Sequence, residues 1–270
     1  MEQPQQEKHI EIQPMGSFFE VDSEGFLVNP ASMDEIQETW KPILDEYIKS
    51  CHKMYGKDVI SVYIRGSVAK GQAIEAVSDF DAFVVLKDGY GHSNVLEEIE
   101  IEERIRLQNM FPFVNGFEFG IFSESGIQEE GLLLNQSLCL FGKNIEISKT
   151  RLSKDLALHA PDFENRHKNL LNFLEEENPS RDRVRNRVEW LGKGILRTGL
   201  EILIEKSGKY SRDLYPCYEV FAEYYPEKEP QMRAVLDLVL NPNVTQQRAR
   251  ETLLPMSEFI LQESKKVYQK

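Results

Sequence analysis

The chain has 270 residues, 41% hydrophobic and 29% charged, which is the composition of a globular protein with one large domain or two ordinary ones. Its formal net charge of −13 argues against a long nucleic acid as the main partner, since such binding depends on neutralising phosphates, and it favours a cationic small molecule or a protein. No apolar run approaches the roughly 18 residues of a membrane span, so we expect no membrane association.

Cysteine and histidine usage excludes two classes of site. Cys51, Cys139 and Cys217 are odd in number and widely spaced, which matches neither a disulfide framework nor a zinc site. Together with the absence of a recognisable signal peptide, they predict a reducing, cytoplasmic location. The five histidines show no spacing typical of a metal site or a catalytic triad, and we interpret all of them as incidental: His9, His52, His92, His159 and His167.

The N-terminal segment predicts a small hairpin followed by a helix. Residues 1–15 are polar and rich in Gln, and we expect them to be mobile. The segment Ser17 to Val28 predicts two short strands around a Ser-Glu-Gly turn. A helix is predicted to start at its cap, Ser32 or Asp34, and to end at Gly56. Its apolar stripe is expected to pack in the core: Ile36, Trp40, Ile43, Leu44, Tyr47 and Ile48.

Two short apolar runs, Val59 to Ile64 and Phe80 to Leu86, are rich in β-branched and aromatic residues and predict buried strands. Between them lie Gly66-Ser67 and a segment of small residues that ends at Ser78. Asp79 and Asp81 open the second strand. Because side chains alternate along a strand, both carboxylates should point the same way while the residue between them points to the core.

Two carboxylates held side by side repel each other by about 4 kcal/mol at roughly 4 Å and an effective dielectric of about 20. Either one of them is protonated or a cation lies between them, and carboxylate, phosphate and water oxygens are the ligands that Mg²⁺ accepts. The Gly66-Ser67 turn offers backbone N–H groups and a hydroxyl, which suit a terminal phosphate. The stretch therefore predicts one site with a phosphate half and a metal half.

A Gly-Ser turn, a spacer of about a dozen residues and Asp-x-Asp at the start of an apolar strand resemble the signature of the polymerase-β-like nucleotidyltransferases. This sequence carries it as Gly66-Ser67 and Asp79-Phe80-Asp81. The resemblance implies a mixed α/β (α+β) catalytic domain in which the two aspartates hold one or two Mg²⁺ and Gly66 and Ser67 bind the terminal phosphates of ATP or another NTP.

A charged amphipathic helix is predicted for Asn94 to Met110, and a third strand for Val114 to Phe122. On that strand Glu118 shares a face with two glycines, and a lone glutamate there is costly to bury without a partner. In the family that the chain resembles, a third carboxylate on a neighbouring strand completes the metal site or activates the attacking hydroxyl. Here that residue would be Glu118, with Glu124 as a weaker alternative.

The segment Ser137 to Ile147 resembles the short strand and turn that close this catalytic domain. We predict three parts: residues 1–57 as the hairpin and helix packed on the catalytic domain, 58–150 as that domain, and 151–270 as an all-helical domain. Helical spacing and intervening prolines predict the helices of the last part: Phe163 to Glu177, Arg181 to Lys206, Leu214 to Tyr225, Gln231 to Leu240 and Gln246 to Tyr268.

The predicted helix Arg181 to Lys206 has a second face besides its apolar stripe, formed by Trp190, Lys193, Arg197 and Glu201. Three glycines inside this helix cost roughly 1 kcal/mol each relative to Ala, which suggests that another backbone or a ligand comes close. In two-domain antibiotic nucleotidyltransferases, basic residues of the helical domain and a Tyr/Ser turn face the triphosphate across a cleft. Four residues resemble these features: Lys193, Arg197, Tyr210 and Ser211. The alternative is an ordinary solvated face with capping residues.

The resemblance implies transfer of a nucleoside monophosphate, with AMP from ATP favoured, onto a hydroxyl acceptor. The acidic total charge and the two-domain layout suit a cationic small molecule such as an aminoglycoside. A protein AMP-transferase of the toxin–antitoxin type and a non-catalytic nucleotide-binding sensor remain alternatives. An enzyme that modifies nucleic-acid ends is disfavoured by charge.

Overall fold

The structure, a computed structural model, describes residues 9–90, 94–146 and 149–269, with residues 94–96 described by their backbone alone. The predictions for residues 1–8, His92 and Ile147 lie outside this range. Contacts divide the chain into two compact units. The sheet unit comprises residues 20–151, and the helical unit comprises residues 9–19 and 152–269 as described.

The sheet unit contains a mixed four-stranded sheet. Its strands are β1 (Val59–Arg65), β2 (Phe80–Leu86), β3 (Phe117–Ser123) and β4 (Ser137–Gly142), in the order β3-β2-β1-β4. Strand β1 runs antiparallel to both β2 and β4, whereas β2 and β3 are parallel. The helices of this unit are α1 (Lys41–Tyr55), α2 (Gly66–Ala69), α3 (Asn94–Met110) and α4 (Gly131–Leu134).

The two faces of the sheet have different neighbours. One face packs against α1 and α3, and its core includes Trp40, Tyr47, Ile64 and Phe80. The opposite face carries a smaller apolar cluster: Tyr63, Phe83, Val85, Ile127, Leu134 and Ile145. Asp81 alternates with Phe80 along β2 and therefore lies on this second face, away from α1. Trp40 is 1% exposed, which confirms its predicted place in the core.

Several predicted boundaries of the sheet unit need correction. The helix expected from Ser32 or Asp34 begins only at Lys41, after a series of turns, and Pro42 stands in its first turn, where a missing N–H costs nothing. The predicted hairpin is reduced to a single antiparallel bridge between Val21 and Leu27. Strand β3 starts at Phe117 rather than at Val114, because the N–H of Val114 closes a turn onto the carbonyl of Phe111.

The helical unit consists of α5 (Phe163–Leu174), α6 (Arg181–Glu201), α7 (Ile204–Ser207), α8 (Leu214–Tyr224), α9 (Glu229–Leu240) and α10 (Gln246–Tyr268). Helix α6 packs against α5, α8, α9 and α10. The predicted all-helical character is confirmed, although the predicted long helix ends at Glu201 and a separate turn of helix, α7, follows. None of the described helices is long and apolar enough to cross a membrane.

Two glycines of α6 are explained by packing within this unit. A Cβ on Gly192 would lie 2.3 Å from Val239 Cγ2 of α9, and one on Gly199 would lie 2.8 Å from Met232 Cε. The cost of these glycines had suggested a close approach of another backbone or a ligand. Side chains of the neighbouring helix α9 make that approach.

Residues 9–19 group with the helical unit, although the sequence analysis assigned residues 1–57 as one block to the catalytic domain. The N–H of Phe19 donates to the carbonyl of Tyr210 at 2.8 Å, and the N–H of Ser17 donates to Asp213 Oδ2 at 2.9 Å. These bonds attach the N-terminal segment to the turn before α8.

Candidate active site

The turn that follows β1 lies directly against the carboxylate of Asp81. Arg65 is extended, and Gly66 then takes φ +73°, a conformation that favours glycine, to start the single turn of α2. A Cβ on Gly66 would stand 2.4 Å from Asp81 Oδ2. The position therefore requires glycine twice over, once for its backbone angle and once for space. The N–H groups of Ser67 and Val68 belong to a first helical turn, where no intrahelical acceptor exists.

Asp79 stands just before β2, with one oxygen engaged. Asn115 Nδ2 donates to Asp79 Oδ1 at 3.0 Å, and a Cβ on Gly116 would lie 2.9 Å from the same oxygen. Gly116 thus leaves space beside Asp79, as Gly66 does beside Asp81. The spacing of Asp79 and Asp81 predicted their place in the site, whereas no sequence pattern indicated Asn115.

Glu118 is the direct neighbour of Asp81 across the sheet. The parallel register of β2 and β3 pairs Asp81 with Glu118, so the two side chains emerge side by side on one face. Arg65 Nη2 lies 3.4 Å from Asp81 Oδ1 and 3.9 Å from Glu118 Oε2. The three side chains form an Asp81–Arg65–Glu118 triad that the sequence analysis did not foresee. Glu124, the weaker alternative, instead pairs with Lys143 at 3.8 Å.

The electrostatic state of Asp81 reflects this crowding. Burial raises its pKa to about 6, Arg65 opposes that rise, and the neighbouring Glu118 and Asp79 add to it. The carboxylate side chain of Asp81 is 22% exposed, against 65% for Glu118. Additional positive charge at this place would favour the ionised form of Asp81, which is the form that ligates a metal.

The donor chemistry here fits a small hard cation at the two aspartates. Asp79 and Asp81 offer carboxylate oxygens, and Gly66 and Gly116 leave space beside them. Among the described residues, however, no three His, Cys, Asp or Glu side chains are close enough together to hold a metal ion. Participation of Glu118 as a third ligand therefore stays a prediction.

A cavity of about 170 Å³ adjoins Glu118 and Arg65. Gly120 makes room for it, since a Cβ there would come within 3.1 Å of Phe83 Cβ and 3.2 Å of Phe122 Cε2. The cavity has a charged side and an apolar side, and its lining residues are Arg65, Ala82, Phe83, Glu118, Phe119, Gly120, Phe122 and Leu133.

The four predicted nucleotide-binding residues of the helical unit have different surroundings. Lys193 pairs with Glu189 one turn earlier on α6. Tyr210 is 1% exposed and its hydroxyl donates to the carbonyl of Leu156 at 3.1 Å. Ser211 is 2% exposed; its Oγ donates to the carbonyl of Ser17 and accepts from the N–H of Asp213. Both hydroxyls thus bond within the helical unit, and their predicted role stays a prediction.

Arg197 belongs to a group of cations that we call the arginine cluster: Arg166, Arg197 and Arg212. Arg197 Nε donates to the carbonyl of Arg212 at 3.1 Å. Burial and the charge of Arg212 lower the pKa of Arg197. Arg166 Nη2 lies 2.9 Å from His159 Nδ1, and since a guanidinium only donates, the imidazole accepts there.

His159 lies beside the arginine cluster. Burial lowers its pKa to about 3, with Arg166, Arg212 and Arg197 acting in the same direction. Glu201, 2% exposed, fixes the backbone beneath it by accepting the N–H groups of Leu158, His159 and Ala160. His159 had been interpreted as incidental, and Arg166 and Arg212 were not among the predicted site residues. Gly194 was a usable signal, because a Cβ there would meet Arg166 Nη1 at 2.9 Å.

Comparisons with known proteins agree with the resemblance. Residues 44–113 match the family model described as a nucleotidyltransferase domain. Over 46 residues the chain is 44% identical to the Methanocaldococcus jannaschii protein named "Putative protein adenylyltransferase MJ1305"; this is 17% of the chain and 31% of the relative. The chain therefore spans about a third of that curated relative's length.

The fold is similar to a crystal structure of spectinomycin adenyltransferase AAD(9) from Enterococcus faecialis, solved with ATP and spectinomycin. The TM-score is 0.50 at 14% identity, over 83% of this chain and 99% of that one. This coverage exceeds either unit, so the likeness extends to both and confirms the predicted fold class. Together, these findings support the predicted resemblance: residues 44–113 match the nucleotidyltransferase-domain model, and the fold of the chain is similar to that of a spectinomycin adenyltransferase.

Proposed function

We propose that the chain transfers AMP from ATP to a hydroxyl acceptor, with Mg²⁺ as cofactor. The observation that carries this proposal is the contact between the Gly66-Ser67 turn and Asp81, where a Cβ on the glycine would lie 2.4 Å from the carboxylate. In this contact the N–H groups that would bind phosphate lie beside the carboxylate oxygens that would bind a divalent cation. The choice of ATP is supported by the names of both relatives, which are adenylyl- or adenyltransferases.

Each predicted site residue of the sheet unit has a role in this proposal. Ser67 and the N–H groups of its turn bind the terminal phosphates, and Asp79 and Asp81 hold one or two Mg²⁺. A bound Mg²⁺ would neutralise the charge of the triphosphate as pyrophosphate leaves. Glu118 either completes the metal site or accepts the proton of the attacking hydroxyl, and its exposure suits the second role.

Phosphate binding by the helical unit is the less direct part of the proposal. Lys193, Arg197, Tyr210 and Ser211 were predicted to bind the nucleotide, and Arg197 belongs to the arginine cluster. Guanidinium groups bind phosphate with charge-assisted hydrogen bonds. The arginine cluster supports an anion there, because Arg166, Arg212 and Arg197 all act on the same imidazole and, after burial, lower the pKa of His159.

Two acceptor classes have support. A cationic small molecule of the aminoglycoside type is favoured by the net charge of −13. A protein hydroxyl is favoured by the name of the M. jannaschii relative, whose match covers 46 residues. In either case the cavity beside Glu118 is the place where the group carrying the acceptor hydroxyl would lie.

The test uses ATP labelled at the α-phosphate, Mg²⁺ and three samples: aminoglycosides and spectinomycin, proteins of a cell extract, and buffer alone. Label on a small molecule or on a protein band identifies the acceptor class. Asp79→Asn and Asp81→Asn should abolish transfer while thermal unfolding stays at or above that of the wild type, because carboxylate repulsion is relieved. Transfer that survives both substitutions would contradict the proposal. ATP binding without any transfer would instead indicate a nucleotide sensor.

A further inference from the structure

Arg65 holds a place among the carboxylates that neither the motif nor the proposed roles explain. It ends β1, where its backbone pairs with Ser137 of β4, and Ile64 before it is buried against α1. Strand alternation then puts the Arg65 side chain on the face of Asp81 and Glu118. Its orientation is therefore set by the sheet.

The guanidinium lies between two carboxylates. One nitrogen, Nη2, is 3.4 Å from Asp81 Oδ1 and 3.9 Å from Glu118 Oε2. Mg²⁺ needs oxygens at about 2.0–2.1 Å. An ion bridging these same two oxygens would be brought close to the guanidinium nitrogen and would repel it. Arginine does not lose its proton in proteins, so this cation is permanent.

The other oxygens remain accessible to a metal. Asp81 Oδ2 is the atom that faces the Gly66 turn, and Asp79 takes no part in the triad, since its Oδ1 accepts from Asn115. The two aspartates thus retain one shared place for a divalent cation. In the described part of the chain, no third acidic, histidine or cysteine side chain joins them at ligating distance.

From these contacts we infer that the guanidinium of Arg65 replaces one of the two cations that three carboxylates could hold, so that the active site binds a single divalent cation, on Asp79 and Asp81. Glu118 is then held by Arg65 and not by metal, which leaves it free to contact the acceptor. This inference rests on the proposed function and narrows it, because that proposal allows one or two ions and either role for Glu118.

The test counts ions instead of measuring turnover. Protein saturated with α,β-methylene-ATP, which cannot be cleaved at the α-phosphate, is dialysed to equilibrium against Mn²⁺, and bound Mn²⁺ is measured per bound nucleotide. The wild type should bind one. Arg65→Met, which keeps the side-chain length and removes the charge, should bind two. Arg65→Lys keeps a cation and should bind one, as should Arg104→Met, a control arginine on α3.

A double variant tests where the second cation binds in Arg65→Met. In Arg65→Met/Glu118→Gln the count should return to one, because the ion admitted by loss of Arg65 needs the Glu118 carboxylate. Two ions in the wild type, one in Arg65→Met, or two in the double variant would overturn the inference. Two ions in the wild type would leave the proposed function standing, whereas no Mn²⁺ with bound nucleotide would overturn both. Circular dichroism of each variant checks that the fold is retained.

Discussion

At the scale of single residues, Gly66 combines two constraints that substitutions can separate. Gly66→Ala adds backbone strain at φ +73° and brings a Cβ against Asp81 Oδ2. We expect loss of at least about 1 kcal/mol of stability from the strain and near-complete loss of AMP transfer from the displaced carboxylate. Label transfer and thermal unfolding measure the two effects.

Gly89→Ala is the matched control for that prediction. Gly89 has φ +81°, and a Cβ there meets nothing within 4 Å. It should lose similar stability and retain transfer. Equal transfer by the two variants would show that the approach of the turn to Asp81 does not matter for activity.

His159 gives a pH prediction with a defined sign. Its pKa in the folded chain is about 3, below the usual 6.5, so the unfolded chain binds a proton that the folded chain does not. Stability is therefore full above pH 6.5 and falls as the pH decreases. Between pH 7 and 5 this residue should remove about 1–2 kcal/mol, allowing for partial exposure.

His159→Gln should abolish this part of the pH dependence in urea unfolding followed by circular dichroism. His52→Gln, on the exposed side of α1, should retain the wild-type dependence. If His159→Gln were as sensitive to pH as the wild type, the imidazole would not be held neutral by burial and the arginine cluster.

The site residues that could be predicted from the sequence are those that form a motif of recognisable spacing. Gly66, Ser67, Asp79 and Asp81 follow from the order of turn and strands. Arg65 lies one residue from that motif, but its role depends on the cross-strand register that brings Glu118 to Asp81. That register is a pairing between strands more than thirty residues apart, and no local pattern encodes it.

At the scale of elements, helical periodicity predicted α8 and α10 to within one residue at each end, and it predicted the start of α6 but not its end at Glu201. The start of α1 was wrong because Ser32 and Asp34 are good capping residues that instead stabilise turns; Ser32 Oγ accepts the N–H of Asp34 in one of them. Capping residues indicate that a helix can begin, while packing against the sheet decides where it does.

The pairing of α1 with α3 supplies an element-scale prediction. Glu103 of α3 is 1% exposed and accepts from Ser50 and Lys53 of α1 and from Arg106. Burial opposes its charge, but these donors prevail and lower its pKa to about 2. Glu103→Ala should cost roughly 2–3 kcal/mol, because charged hydrogen bonds are lost and their donors are left beside the core.

The neighbouring Glu102 is exposed and serves as the control. Glu102→Ala should change stability by less than about 0.5 kcal/mol. Thermal unfolding of the two variants tests the pairing, and equal midpoints would mean that Glu103 does not join the two helices.

At the scale of the whole molecule, the sequence predicted a sheet domain followed by helices but not the place of residues 9–19. Their bonds to the helical unit, such as Ser17 N–H to Asp213 Oδ2, join residues 196 positions apart. Net charge is likewise a property of the whole chain and does not indicate where charges lie. A total of −13 predicts an acidic molecule, but it does not indicate that three arginines far apart in the sequence lie close together in the fold.

That local charge leads to the last prediction, which concerns the part of the helical unit in nucleotide binding. If the arginine cluster binds phosphate, Arg197→Met and Arg212→Met should each weaken ATP binding roughly tenfold, by loss of a hydrogen bond to a charged group. The difference from the wild type should shrink at high salt, where screening already attenuates the contact.

Arg185 is exposed on α6, the helix that carries Arg197, and Arg185→Met is the control, which should bind ATP as the wild type does. Calorimetric titration of ATP with Mg²⁺ at two salt concentrations measures all four proteins, after thermal unfolding has shown that the half-buried Arg197 position tolerates Met. Wild-type affinity in both cluster variants would mean that the nucleotide is bound by the sheet unit alone and that the arginine cluster has no part in binding phosphate.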